Sequence, residues 1–371
     1  MIGLLDTGNR KAINWNVLED TLDKLTWEKL TSQFWLDTRI PVSNDLDDWR
    51  IMSEAEKEVV WKVLGGLTML DTIQSVDGIS SIIGDAVTQH EEAVLNNIQF
   101  MESVHAKSYS TIFSTLMTKS ETEMVFNWVD SNEFLQNKNE KLMEMYDTDN
   151  PLKKKATSVM LESFLFYSGF YAPLYFLGQG RLANVAEIIK LIIKDESVHG
   201  TYIGYKFQIG MQKLSEEEQE ELKDWVYENL MEFYENEVEF TRSVYDPVGL
   251  TEDVLTFLEY NANKALANLG LDQLFPTSAS DVDPVIMNGL SGSSANHDFF
   301  SQVGNSYHMG VVEATVEEDY SFEALSLEPS VPLELKDTSS KYVVQPMEDG
   351  TSRLVPNIHF NGLTGIDEKV K

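Results

Sequence analysis

Six ionisable side chains stand where helices would have to bury them. Asp71 lies in "GLTMLDTIQSV" and Glu162 in "SVMLESFLFYSGFYAPLYF". The pairs Glu102–His105 and Glu196–His199 lie in long stretches of helical apolar spacing. A carboxylate among Leu, Met and Phe is costly to bury unless it is paired or bound to a cation. The order also repeats: an acid, an interval of 31 residues to Glu102 or 34 to Glu196, then Glu-x-x-His. A helix, a turn and a returning helix fill such an interval, which brings each acid to the depth of the motif that follows it. A chain built this way is constrained to a bundle that is polar inside at one level.

Glu and His three apart share one helix face, so each motif offers two donors to one point. Four carboxylates and two imidazoles form a mainly oxygen site that suits iron or manganese, and four negative charges balance two divalent ions. This is the ligand pattern of ferritin-like dimetal carboxylate proteins, with Asp71 in place of one Glu. The predicted fold is therefore all-α, a ferritin-like helical bundle with a dimetal-carboxylate core. The chain has no cysteine, which excludes disulfides, thiolate zinc sites, iron–sulfur clusters and thiol nucleophiles. Tyr109 follows His105 by one turn, so Glu102, His105 and Tyr109 fall within about 60° of helix surface. A phenol there is either oxidised by the adjoining metals or is a core tyrosine with a satisfied hydroxyl. Spacing leaves both open.

Helical periodicity runs from about residue 14 to 270, with long stretches over 88–116, 152–177, 183–211 and 216–243. Capping boxes are expected at Ser53/Glu56, Ser120/Glu123 and Ser215/Glu218. "DTDNP" and "GQGR" read as breaks. The predicted organisation is a helical domain over 1–275, a flexible Gly/Ser/Asn-rich tail over 276–322, and an extension over 323–371. Within the extension, "YVVQPM" and "RLVPNIHF" flank "EDGTS" as a hairpin, with Pro346 and Pro356 limiting both strands to edges. The net charge of −33 makes nucleic acid and membrane surfaces poor partners. No apolar run is long enough to span a bilayer, and no signal peptide is evident at the start, so a cytoplasmic protein is expected.

The segments "LLDTGNRKAINWN", "LTSQFWLDTRIPVSND", "LTMLDTIQ", "HEEAVLNNIQFMESVHAKSYSTIFSTL", "LESFLFYSGF" and "KDESVHG" resemble the small, radical-bearing subunit of class Ib ribonucleotide reductase. The resemblance covers about residues 5–322. It implies a homodimer that generates a tyrosyl radical and passes it to a separate large subunit, which reduces ribonucleoside diphosphates. By motif, Asp71, Glu102 and His105 would bind one metal, Glu162, Glu196 and His199 the other, with a carboxylate bridging. Tyr109 would hold the radical, with Phe166 and Phe170 walling its pocket. Trp35, Asp195 and the tail residue Tyr307 match the radical-transfer path toward the partner. The resemblance further implies a dinuclear manganese centre assembled with a flavodoxin-like activating protein, iron being accepted by the same ligands.

One departure stands out. The acidic-aromatic tail that docks on the large subunit normally ends such a chain, whereas here "EEDYSF" is followed by 323–371. Two other readings use the same ligands: a dimetal oxygenase or desaturase acting on its own substrate, and an iron store.

Overall fold

The computed structural model describes residues 11–291, together with the backbone of 342–346 and 352–356. The two parts belong to separate compact units. In the smaller, β1 (Tyr342–Pro346) and β2 (Ser352–Pro356) pair antiparallel, with Tyr342 opposite Pro356 and Pro346 opposite Ser352. A two-stranded ribbon has only edge strands, so it tolerates the missing proline donors. The expected hairpin is therefore present.

The larger part is all helix. Its centre is made of α3 (Glu54–Ile73), α5 (Gln89–Leu116), α8 (Pro151–Met160) with α9 (Tyr167–Gly178), and α10 (Ala183–Met211). Helix α3 packs on α5, α8 packs on α10, and α5 meets α10. Around them lie α1 (Thr21–Ser32), α2 (Leu46–Ile51), α4 (Ile79–Ile83), α6 (Lys119–Ser131), α7 (Glu133–Tyr146), α11 (Glu216–Tyr245), α12 (Thr251–Asn268) and α13 (Pro284–Ser291). Helix α5 has 28 residues and α10 has 29. Either is about 42–44 Å long at 1.5 Å per residue, so its Glu-x-x-His motif sits far from both ends.

The starts of the helices follow their caps. Ser53 with Glu56 and Ser215 with Glu218 form reciprocal capping boxes as expected. The box expected at Ser120/Glu123 is instead Thr118/Glu121, and α6 begins at Lys119. "TKSETE" contains both Ser/Thr-x-x-Glu registers, and the earlier one wins because Met117 is already extended after α5. The stretch 152–177 is not one helix either. A π-helical turn at Leu161–Leu165 separates α8 from α9, and another at Gln74–Gly78 follows α3. Packing also runs beyond residue 275: α13 lies on α9, with Val282, Ile286 and Leu290 buried. Those three positions form an i, i+4, i+8 stripe that a Gly/Ser-rich context obscures. Gly178 makes the approach possible, because a methyl group there would overlap Val285.

Helix α10 has no local cap. Leu182 precedes it with φ 52°, in the left-handed region, and its own side chain caps nothing. The orphaned donors are met from a distance. Asp48 accepts from the Leu182 amide at 3.0 Å, and Asp45 from the amides of Asn184 and Val185 at 2.9 and 2.7 Å. A buried carboxylate against a helix N-terminus also complements the helix dipole. Asp45→Ala is expected to cost about 2 kcal/mol, the upper range for a lost N-cap, read as a lower denaturation midpoint in urea. A midpoint unchanged from wild type would mean that the Asp45 contacts contribute nothing net.

Candidate metal centre

Four helical segments bring the six predicted ligands together. Asp71 comes from the last turn of α3, Glu102 and His105 from α5, Glu162 from the second π-helical turn, and Glu196 and His199 from α10. All six are fully buried. Their oxygens and nitrogens form two overlapping groups that could each hold an ion, Asp71–Glu102–His105–Glu196 and Glu102–Glu162–Glu196–His199. Glu102 and Glu196 belong to both. One Glu102 oxygen is 2.8 Å from His199 Nδ1 and the other 3.6 Å from His105 Nδ1. Glu196 repeats this at 2.9 Å from His105 Nδ1 and 3.3 Å from His199 Nδ1. Each carboxylate thus faces both imidazoles, which gives two potential bridges where the sequence implied one.

The donors fit a pair of cations on two counts. Both oxygens of Asp71, Glu102 and Glu196, Oε2 of Glu162, and Nδ1 of both histidines are buried without a hydrogen-bond partner. Orphaned polar atoms at this density are destabilising unless something else binds them. Their separations of 2.8–3.6 Å also suit neighbouring ligands on one ion, since donors about 2.1 Å from a metal and at right angles lie about 3 Å apart.

The charges agree. Burial drives the Asp71 carboxyl well above its usual range, opposed by His105 and reinforced by Glu102 and Glu196. Glu162 is raised in the same way, by burial and then by the charges of Glu102 and Glu196. Glu196 goes the other way: burial opposes ionisation, but contacts with Glu162, His105 and His199 hold it below the carboxylate range. Both imidazoles are raised despite burial, held as cations by the surrounding carboxylates. Without cations the cluster balances its charge only by keeping protons on Asp71, Glu162 and both imidazoles, and two divalent cations would take the place of those protons.

Tyr109 is fully buried one turn beyond His105, and its hydroxyl has no hydrogen-bond partner. Burial, then the charges of Asp71 and Glu196, push the phenol well above its usual pKa. Phe166 and Phe170 are fully buried, with ring centroids 5.8 Å apart. Trp35 stacks on His105 at 5.8 Å and 16°, and its Nε1 donates to Asp195 Oδ2 at 2.7 Å. The same Asp195 oxygen lies 3.0 Å from His105 Nε2. Tyr307 lies outside the described residues, as does "EEDYSF".

Two glutamines escaped the sequence reading. Gln33 Nε2 donates to Asp195 Oδ1 at 2.5 Å, and Gln74 Nε2 donates to Glu162 Oε1 at 2.5 Å. Gln33 stands two residues before Trp35 and Gln74 three after Asp71, and those spacings were the only signal available.

The family model for the ribonucleotide reductase small chain matches residues 12–284. The ribonucleoside-diphosphate reductase subunit beta nrdF2 of Mycobacterium tuberculosis is 53% identical over 323 residues, 85% of this chain and 100% of the relative. Ribonucleoside-diphosphate reductase 2 subunit beta of Escherichia coli K12 is 49% identical over 312 residues, 84% of this chain and 98% of the relative. Among solved structures, the dimanganese(II)-NrdF of Streptococcus sanguinis superposes with a TM-score of 0.75 at 64% identity, covering 76% of this chain and 100% of that one.

Proposed function

The chain belongs to the ribonucleotide reductase small-chain family, and from that premise we propose how its residues divide the work. It is the small subunit of a ribonucleoside-diphosphate reductase, of the class Ib type, with a ferritin-like fold and a dinuclear manganese or iron centre. It pairs with a large subunit, where the nucleotide is reduced, and with a second copy of itself.

The reading of the site rests above all on the two overlapping donor groups that share Glu102 and Glu196. Asp71, Glu102 and His105 would hold one cation and Glu162, Glu196 and His199 the other, and Glu102 and Glu196, which belong to both groups, could serve both. A bound metal pair, once oxidised by an oxygen-derived oxidant, would supply the acceptor for one electron from Tyr109. Loss of that electron acidifies the phenol, and the neighbouring Asp71 carboxylate is the acceptor for its proton. The resulting radical sits in a dry pocket, out of reach of solvent reductants. Asp195 joins His105 to the Trp35 indole, so a proton can shift between them as the electron passes outward. Tyr307, in the chain's later segment, continues that path to the large subunit.

The manganese form and a flavodoxin-like activating protein are the finer reading, supported by the class Ib resemblance and by a dimanganese relative. Among the described residues no helix is long and apolar enough to cross a membrane. A cytoplasmic site of action is supported by the nature of the substrate pool.

The test is reconstitution. Metal-loaded chain alone should reduce no ribonucleoside diphosphate, and adding a cognate large subunit should give turnover. Oxygen consumption that depends on a small or fatty substrate, in the chain alone, would instead identify an oxygenase or desaturase.

A further inference from the structure

The two halves of the metal cluster are not equivalent, and the difference lies in one amide. Neither oxygen of Asp71 has a hydrogen-bond partner. Glu162, its counterpart in the repeat, has one oxygen tied: Oε1 accepts from Gln74 Nε2 at 2.5 Å, while Oε2 stays without a partner, 3.4 Å from His199 Nδ1. The residue that matches Gln74 in the second half, three after Glu162, is Leu165. The repeat therefore carries an amide donor on one side only.

That amide is itself fixed. The Tyr146 hydroxyl donates to Gln74 Oε1 at 2.8 Å, and Gln74 Nε2 reaches Ser158 Oγ at 2.7 Å as well as Glu162. Both amide hydrogens and the amide oxygen are thereby used. The reversed amide would set oxygen against a carboxylate oxygen, so the network admits one orientation. Gln74, Ser158 and Glu162 are fully buried and Tyr146 nearly so, which leaves no water to substitute for a lost bond. The backbone makes room for the arrangement. Gln74 and Gly78 bound the first π-helical turn, and a methyl group on Gly78 would overlap the Gln74 amide oxygen and press on the Tyr146 hydroxyl.

We propose that Gln74, held by Tyr146 and given space by Gly78, is a positioning residue that turns Glu162 so that Oε2 is the oxygen offered to a cation. This rests on the reading of the cluster as a two-cation site. The amide leaves Glu162 one oxygen to present, and no amide restrains Asp71 in this way. Losing a partner that orients a metal ligand lowers affinity by roughly 10–100-fold. The loss falls on the cation next to Glu162 and spares the other.

The experiment is a manganese(II) titration of the full-length, metal-free chain, followed by electron paramagnetic resonance, which separates free, isolated and spin-coupled manganese. Wild type should bind two equivalents and show the coupled signal. Gln74→Leu should keep the first equivalent within about threefold and weaken the second by roughly 10–100-fold, leaving an isolated-ion signal at one equivalent. Gly78→Ala, which retains every polar group but displaces the amide, should shift the second equivalent in the same direction. Tyr146→Phe should have a smaller effect. Thermal midpoints of the metal-free proteins show that each variant folds. Equal binding of both equivalents in wild type and Gln74→Leu overturns the proposal, as does an equal loss at both positions. A wild-type chain that binds fewer than two equivalents overturns the two-cation reading itself.

Discussion

Tyr109→Phe should leave two cations bound, produce no tyrosyl signal on exposure of the iron(II)-loaded chain to oxygen, and abolish turnover with the large subunit. The substitution removes one oxygen atom from a ring that is otherwise fully enclosed. That hydroxyl is buried beside the Asp71 carboxylate, itself a proposed cation ligand, so with the cations bound its deletion strands no donor or acceptor, and the fold should lose no more than about 1 kcal/mol. None of the six proposed ligands changes. The variant therefore separates two properties that most changes at the centre would disturb together, metal binding and storage of the oxidising equivalent. Metal content, the tyrosyl resonance and turnover are read on the same preparation. Full turnover in the variant would remove Tyr109 from the reaction and return it to the role of a core tyrosine. Loss of metal would show that the phenol supports the ligand cluster, and the radical assignment would then need another test.

How much of this was legible in the sequence depends on the distance over which each interaction acts. The clustering of the six candidate ligands was legible because each member is locally anomalous, a carboxylate or imidazole inside an apolar helical stretch, and because the anomaly recurs after a helix-turn-helix interval. The caps of α3 and α11 were legible because cap and partner lie three residues apart. The cap of α10 was not, since Asp45 and Val185 are 140 residues apart. The choice of Thr118 over Ser120 turned on where α5 ends, which two overlapping registers of one motif cannot tell. The π-helical turns left no mark, because one extra residue per turn disturbs the apolar spacing less than ordinary sequence variation does. Yet Glu162 lies within one of these turns and Gln74 opens the other, so the unread feature adjoins the site. Helix ladders with such widened turns are often found at functional centres. Gln74 itself reads as a neutral helix residue until Glu162 is placed beside it.

Trp35→Phe should preserve the metals and the tyrosyl signal but lower turnover with the large subunit by at least about 100-fold, the scale on which a positioned proton-transfer group contributes. Phenylalanine can keep the stack on His105, now 5.8 Å between centroids, but it has no N–H for Asp195 and a ring far harder to oxidise than indole. Asp195 would keep Gln33 on one oxygen and His105 on the other, so the carboxylate stays anchored and the ligand face of His105 is undisturbed. Truncating a buried tryptophan has a packing cost of about 1–3 kcal/mol, which a large helical core can absorb. Radical formation and radical export therefore part company in this variant, whereas Tyr109→Phe removes both. Undiminished turnover would make Trp35 an ordinary core tryptophan, and the bond to Asp195 merely structural. Loss of the tyrosyl signal itself would move Trp35 from export to assembly, because the indole would then be needed before the radical exists.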